Sequence, residues 1–266
     1  MTAASIEPEQ APWPAPAPGA APMMRMIVAQ ARFETGMLLR NGEQLGLTLI
    51  IPVLLLAAFS LEPLVKDGSS PRVDFLVPGI IALAVLSTAF TSQAIATGFE
   101  RRYGVLKRLG ATPLGRGGLN SAKTLTVVGV ELLPSVIILA AGTALGWHPH
   151  ASGLAALWVV VLVLVGTACF SGLGLLLAGT LRAEATLATA NLLYLIMLGL
   201  GGIIFPLSKF PAAWTPVLTA LPPGALSQGL HAVLQHSSGL PVRDLAVLAI
   251  WAVAAIVAAA RSFRWE

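Results

Sequence analysis

A glycine-rich stretch of this chain has the spacing of a phosphate-binding loop. Gly110-Ala-Thr-Pro-Leu-Gly115-Arg116-Gly117 matches the glycine positions of a P-loop. It carries Arg where the phosphate-binding Lys belongs and Gly where the magnesium-binding Ser or Thr belongs, and no strand is predicted before it. We therefore interpret the match as chance and predict that the chain does not hydrolyse ATP itself.

Two of the four histidines are close enough in sequence to suggest a metal site. His148 and His150 flank Pro149 among turn residues, with no Cys, Asp or Glu beside them to complete a ligand set. This pattern favours a polar turn, and His231 and His236 are interpreted in the same way. We expect no metal and no cofactor to be bound by this chain.

Three polar side chains fall inside long apolar runs. Glu131 lies about two helical turns from the start of its run, or about 12 Å at 1.5 Å per residue. An acid placed there is a candidate functional group, for example for proton coupling. A structural hydrogen bond to Lys123 or to water is the alternative. Gln93 and Asn191 are expected to bond neighbouring helices or to face a transport path.

The composition predicts which elements carry these groups. Hydrophobic residues make up 56% of the 266 residues and charged residues only 11%, whereas a typical soluble domain carries about 25% charged residues. The apolar runs are continuous, which excludes the alternating strands of a membrane barrel and predicts membrane-spanning helices. Cys169 is the single cysteine, so no intrachain disulfide is possible.

Apolar runs bounded by charges predict an all-α polytopic membrane protein with six transmembrane helices. An amphipathic helix over residues 24–41 precedes them, with Arg25, Arg32 and Arg40 opposite its apolar arc, and is expected to lie along the membrane interface. The Ala- and Pro-rich residues 1–22 predict a disordered cytoplasmic leader. The spans of the transmembrane domain, residues 23–266, are expected at about 44–61, 75–99, 123–146, 154–180, 185–205 and 245–260.

The segment between the last two spans, residues 206–244, is apolar but carries six prolines. Prolines interrupt helices, and irregular backbone at membrane depth must be covered by protein or by a wet cavity. We therefore predict short re-entrant or surface helices near residues 211–221 and 224–235.

Positive charge predicts the orientation of the spans. Twelve Lys and Arg residues fall near the two ends of the chain and in the connections after the second and fourth spans, and four fall on the other side. The positive-inside rule then puts both termini in the cytoplasm of a multi-pass cell-membrane protein. The formal net charge of +4 is explained by this topology and by contact with anionic lipid, without nucleic acid.

Residues 100–109 are predicted to form a short amphipathic helix after the second span. Such a helix is suited to dock in a groove of a cytosolic partner, and force on it would pass directly to the second and third spans. A basic loop that only sets topology is the alternative. The charged surface comprises Arg101, Lys107 and Arg108, and the apolar stripe comprises Tyr103, Leu106 and Leu109.

Three motifs, in this order, resemble the permease subunits of type 2 ABC exporters. Asp74-Phe-Leu-Val-Pro-Gly79 opens the second span, and Glu100-Arg-Arg-Tyr-Gly104-Val-Leu-Lys-Arg-Leu109-Gly-Ala-Thr-Pro113 follows it. Leu221-Pro-Pro-Gly-Ala-Leu-Ser-Gln-Gly-Leu-His231-Ala-Val-Leu234 precedes the last span. The resemblance covers about residues 24–262.

The resemblance implies a division of labour between subunits. A separate cytosolic ABC ATPase subunit would bind ATP and magnesium, and two permeases, identical or different, would form one transporter that exports an amphipathic compound such as a drug or antibiotic. Residues 24–41 would be the connecting helix. The implied ATPase-coupling helix comprises Glu100, Arg101, Arg102, Tyr103, Gly104, Leu106, Lys107, Arg108 and Leu109.

Small residues in the fourth and fifth spans indicate where helices approach closely in lipid. Gly166, Gly172 and Gly174 in the fourth span are candidates for such seams, either between permeases or within one subunit. The candidates for the transport path or for helix packing are Gln93, Glu131, Asn191, Gly199, Gly202 and His231.

Two other functions stay open at this point. A proton-coupled secondary transporter would use Glu131 and need no ATPase, and a membrane assembly factor would show no ATP-dependent flux. Replacement of Glu131 by Gln would abolish transport in a proton-coupled protein and would be better tolerated by an ATP-driven one.

Overall fold

The computed structural model describes residues 19–61, 72–147, 153–235 and 239–262. These residues form helices joined by turns, with no β-strand among them, which confirms the prediction of an all-α polytopic membrane protein. Five helices within these ranges are long and apolar enough to cross a membrane. Residues 1–18 of the predicted leader and the histidines His148, His150 and His236 lie outside the described residues.

The α-helices are α1 (Met23–Arg40), α2 (Gly42–Leu61), α3 (Arg72–Val85), α4 (Gln93–Arg102), α5 (Val105–Gly110), α6 (Gly115–Ala144), α7 (Gly153–Thr180), α8 (Ala183–Leu200), α9 (Thr215–Ala220), α10 (Pro222–Gln235) and α11 (Val242–Ser262). A π-helical turn, Leu86–Ser92, joins α3 to α4. A short 3-10 turn, Leu207–Lys209, lies between α8 and α9.

The segments α3, the π-helical turn and α4 form one continuous span, Val73–Arg102, at the centre of the molecule. Most of its apolar part is buried, and it packs against α6, α7, α8 and α10. Its 30 residues extend over about 45 Å at 1.5 Å per residue, whereas the hydrocarbon core of a bilayer is about 30 Å thick. One end therefore reaches beyond the apolar layer, and the charged residues Glu100, Arg101 and Arg102 stand at that end.

Helix α7 approaches the backbone of this central span at the π-helical turn. A Cβ atom at Gly174 would lie 2.9 Å from the carbonyl oxygen of Phe90, closer than side chains approach in real proteins. Glycine is required there by the contact. Gly166 packs on the side chain of Leu226 in α10, and Gly172 packs on α11, so these span-four glycines form seams within this chain.

Several helix ends differ from the predicted spans. Helix α6 begins at Gly115, well before the predicted start at 123, so Lys123 lies inside the helix. Helix α8 ends at Leu200 instead of 205, because the chain turns at Gly202, which has a left-handed φ of 69°. Helix α2 covers the predicted first span, 44–61, and the total of six crossings stays a prediction.

The proline-rich segment before the last span forms α9 and α10, close to the two positions predicted from the sequence. Almost every residue of α10 is buried, and the helix packs against α3, α7 and α11. Protein therefore covers α10, as the scarcity of hydrogen-bonding partners in lipid requires, whereas α9 is only partly buried.

Helix α1 lies along α6 and matches the predicted interfacial helix over 24–41. Much of its apolar surface, including Met24 and Val28, stays exposed, as expected of a helix that contacts lipid. Only Ala31 and Glu34 are buried in it.

Candidate functional site

The charged stretch after the central span bends between α4 and α5. Gly104 has a left-handed φ of 72°, which glycine adopts without strain. The ring of Tyr103 stacks on that of Phe99, with 6.2 Å between the ring centroids. The prediction of one helix over residues 100–109 is therefore wrong, since α4 ends at Arg102 and a second helix begins at Val105.

Helix α5 is anchored by a single fully buried side chain. Leu106 packs with Leu114 at the start of α6 and with Ile27 of α1. Leu109 joins the same cluster at its edge, whereas Tyr103 is largely exposed. The predicted stripe of three apolar residues is thus reduced to two, because the bend at Gly104 turns Tyr103 away from the protein.

The exposed side of this bend carries two cations. We call it the turn surface, and it consists of Tyr103, Val105, Lys107 and Arg108, all of which are exposed. In the six-residue helix α5, Leu106 is buried whereas the next two side chains, Lys107 and Arg108, are exposed. The turn surface therefore presents basic and apolar groups together at the charged end of the central span.

Arginines at the end of α4 connect the central span to the start of α8. Arg101 donates a hydrogen bond to the backbone carbonyl of Leu181, and Arg102 forms an ion pair with Glu184. Leu181 lies in the short connection between α7 and α8, and Glu184 lies in the first turn of α8. Movement of the end of α4 would thus be transmitted through these contacts to the start of α8.

A buried ion cluster joins α1, α4 and α6. The Nζ atom of Lys123 lies 2.6 Å from a carboxylate oxygen of Glu100 and 3.5 Å from one of Glu34. Gln30 donates a further hydrogen bond of 2.8 Å to Glu34. Lys123 is almost completely buried by these contacts. The expectation that Lys123 could satisfy Glu131 is therefore wrong, because the ammonium group pairs with two other acids.

A cavity of about 90 Å³ lies beside the ion cluster, between α1, α6 and the central span. Gln93, Thr97 and Thr88 line it, and all three are buried. Within the described ranges, their polar side-chain atoms have no hydrogen-bond partner. The expected bond from Gln93 to a neighbouring helix is thus not formed there. Because buried polar groups are nearly always hydrogen-bonded, these groups mark the cavity as a polar site.

Glu131 lies deeper in α6 and is only 2% exposed. The Thr88 hydroxyl in the π-helical turn is the polar group that interacts with it, at a geometry short of a full hydrogen bond. Since Thr88 also lines the cavity, polar groups continue from Glu131 through Thr88 and Gln93 to Lys123.

His231 holds α10 to the start of the central span. Its Nε2 atom lies 3.0 Å from the carbonyl oxygen of Phe75, and its Nδ1 atom lies 2.6 Å from that of Ser227. The His231 and Phe75 rings also contact each other, with centroids 4.6 Å apart. His231 is therefore a packing residue in this chain.

The other predicted path or packing residues do not meet the cavity. Asn191 is exposed and donates to the carbonyl oxygen of Leu187 in its own helix, so the expected bond to a neighbouring helix is not formed among the described residues. A Cβ atom at Gly199 would meet nothing within 4 Å. Gly202 forms the turn that ends α8.

Sequence reasoning missed the role of Glu34. It follows Ala31 by three residues and precedes Leu38 by four, so it lies on the apolar arc of α1. An acid on that arc was the available signal, because it requires a partner in the protein. Among the described residues, no group of three or more His, Cys, Asp and Glu side chains is arranged to hold a metal ion.

Comparison with known proteins identifies the family of this chain. No curated protein matched it. The family model described as ABC-2 type transporter matches residues 25–231, which include most of α1, the turn surface, the ion cluster and the cavity. Because this match covers most of its length, the chain belongs to the ABC-2 type transporter family and is the membrane permease component of an ABC transporter.

Proposed function

We propose that this chain is the transmembrane permease subunit of an ATP-driven exporter in the cell membrane, with both termini in the cytoplasm. A separate cytosolic ATPase subunit hydrolyses ATP, and a second permease completes the transporter. The transported compound is amphipathic, such as a drug or an antibiotic. The observation that carries the proposal is the turn surface, which follows the charged end of a continuous 30-residue span.

The contacts behind the turn surface suit it to transmit force. Leu106 fixes α5 to α1 and α6, and Glu100 fixes α4 to the same two helices through Lys123. Arg101 and Arg102 fix the end of α4 to the base of α8. A push on α5 would therefore move these helices together instead of bending a loop.

The chemistry of the turn surface indicates the kind of groove that would receive it. Lys107 and Arg108 favour an acidic rim on the partner, and Tyr103 favours an apolar slot beside it. Permeases of this family normally work with a cytosolic ATPase subunit, and such a subunit is the partner we propose.

The second permease is expected to cover α8. Leu192, Leu195 and Ile196 are exposed on this helix, and Gly199 has open space around it. Small and apolar residues allow close packing between helices in lipid. A second copy of the chain or a related permease would bury this face.

Charge reversal at Lys107 and Arg108 tests the docking role. We expect K107E/R108E to reduce co-purification of the ATPase subunit by about tenfold or more, because loss of one partner from a charge pair buried in an interface costs roughly 2–5 kcal/mol. Membrane insertion should be unchanged. The matched control, R40E/R261E, makes the same change at exposed cations away from α5. Undiminished co-purification of K107E/R108E would falsify the docking role.

A second candidate function is favoured by the buried carboxyl group of Glu131, which could couple transport to protons. Such a protein would move its substrate in proteoliposomes under a pH gradient without any ATPase subunit. Transport under those conditions would support this function over the ATP-driven one.

A further inference from the structure

The cavity beside the ion cluster has one polar wall and one apolar wall. Gln93 and Thr97 lie on the polar wall, which the central span provides just after its π-helical turn. Leu38 of α1 and Val127 and Val130 of α6 provide apolar lining. Its volume of about 90 Å³ is several times the roughly 10–15 Å³ that one water molecule needs by this measure. A small molecule with a polar and an apolar end fits these walls.

The polar wall is made of side chains that are more than nine-tenths buried. Gln93 is 7% exposed, Thr88 is 6% exposed and Thr97 is 1% exposed. Neither the oxygen nor the nitrogen of the Gln93 amide has a hydrogen-bond partner within the described ranges. A buried polar group without a partner destabilises the protein, so a molecule that donates a hydrogen bond to the Gln93 amide oxygen removes part of that penalty.

The charge at the end of the cavity selects the sign of the molecule. Glu34, Glu100 and Lys123 all line the cavity, and two carboxylates thus face one ammonium group. When all three are ionised, the cluster is one positive charge short of neutrality. An anion would add to the excess charge, whereas a cation would neutralise it, and unpaired charge is costly in a buried site.

We propose that this cavity binds the ammonium group of a small amphipathic amine. The ammonium group supplies the missing positive charge and donates hydrogen bonds to the acceptors on the polar wall, Gln93 among them. Lys123 stays paired with Glu100, and the alkyl part of the amine lies against the apolar wall. The site is within one permease and needs neither the ATPase subunit nor the second permease, so it goes beyond the proposed function.

Three probes with the same alkyl chain and different charge test this proposal. Hexylammonium, 1-hexanol and hexanoate would be titrated calorimetrically into the purified full-length permease in lipid nanodiscs, with empty nanodiscs subtracted. We expect hexylammonium to bind saturably and about tenfold more tightly than 1-hexanol, because hydrogen bonds to charged groups contribute about 1.5–3 kcal/mol. Hexanoate should bind most weakly. The absence of saturable binding would overturn the proposal and indicate a cavity that holds water only. Equal affinity for the three probes would also overturn it, because binding would then depend on the alkyl chain and not on the charge.

Variants locate the binding in the cavity. Glu34→Gln should remove the preference for hexylammonium over 1-hexanol, and Gln93→Leu should weaken hexylammonium binding about tenfold. Gln228→Leu and Asp244→Asn make comparable changes in α10 and α11 and should leave binding unchanged. Equal weakening by these two controls would overturn the proposal.

A conservative variant keeps the test decisive if Glu34→Gln does not fold. Thr97→Val is nearly isosteric and removes only the hydroxyl group from the polar wall. We expect it to weaken hexylammonium binding several-fold while the permease still elutes as a single species. Unchanged affinity in both Thr97→Val and Gln93→Leu would refute the site.

Discussion

Replacement of Lys123 by Met removes the cation that lies between Glu34 and Glu100. The Met side chain keeps most of the apolar stem and loses only the ammonium group, so the packing of α6 is largely preserved. The variant therefore leaves two carboxylates of like charge beside each other in a site that excludes most water. Their contacts with Lys123, at 3.5 and 2.6 Å, are the ones lost.

The expected cost follows from the burial of the three side chains. Their exposed fractions are 5% for Lys123, 11% for Glu34 and 28% for Glu100. Removal of one partner from a buried ion pair costs about 3–5 kcal/mol. Because Glu100 keeps some contact with solvent, we expect the lower end, about 3 kcal/mol, which is more than a hundredfold in the unfolding equilibrium constant.

The assay is reversible unfolding of the purified permease in mixed micelles, followed as a loss of helical signal against denaturing detergent. The matched control is Arg102→Met, which breaks the exposed ion pair with Glu184. Exposed pairs contribute little to stability, so this variant should unfold close to the unaltered protein. The triple variant E34Q/E100Q/K123M carries no orphan charge and should recover most of the lost stability.

Two results would refute this reasoning. If Lys123→Met is no less stable than Arg102→Met, the cluster does not stabilise the fold. If the triple variant is as unstable as Lys123→Met alone, the cost lies in the loss of the Lys side chain and not in the orphaned carboxylates.

Three further predictions concern other contacts. Leu106→Ala should lower the free energy of unfolding by about 2–5 kcal/mol in the same assay, because it empties the anchor of α5; Val105→Ala, at an exposed position, should change it little, and equal effects would contradict the anchor. Gly174→Ala should cost about 1–3 kcal/mol, because the added methyl group meets the backbone of the central span; Gly199→Ala is the control with open space, and a stable Gly174→Ala would contradict the close contact. Glu131→Gln should leave ATP-driven export largely intact in reconstituted transporter, since it breaks no ion pair among the described residues; abolished export would favour proton coupling instead.

The sequence was sufficient for the parts of the fold that depend on local pattern. In lipid, backbone polar groups must be hydrogen-bonded within the protein, which only helices and closed barrels achieve. Because the apolar runs are continuous rather than alternating, their positions along the sequence were enough to locate the helices. The prolines between the last two spans indicated short helices, and α9 and α10 lie there. The helix ends were less predictable, because α8 stops at a left-handed Gly202 that the apolar pattern does not reveal.

The site was predicted only in part, because its contacts join residues that are far apart in sequence. Glu34 and Lys123 are 89 residues apart, and no periodic pattern relates them. The stripe at Tyr103, Leu106 and Leu109 assumed an unbroken helix, and the turn at Gly104 moved Tyr103 to the outside. Local patterns thus located the charged stretch, while its partners depended on how the helices pack.

The π-helical turn in the middle of the central span determines in which direction the side chains after it point. A wide turn absorbs extra chain without interrupting the helix, and each residue of a regular helix advances the side chains by about 100°. The half of the span that follows this turn is therefore rotated relative to the half that precedes it, by an amount set at Leu86–Ser92. Loss of a single residue from this segment would keep the span apolar and helical, yet would swing Glu100 and Arg102 away from Lys123 and Glu184.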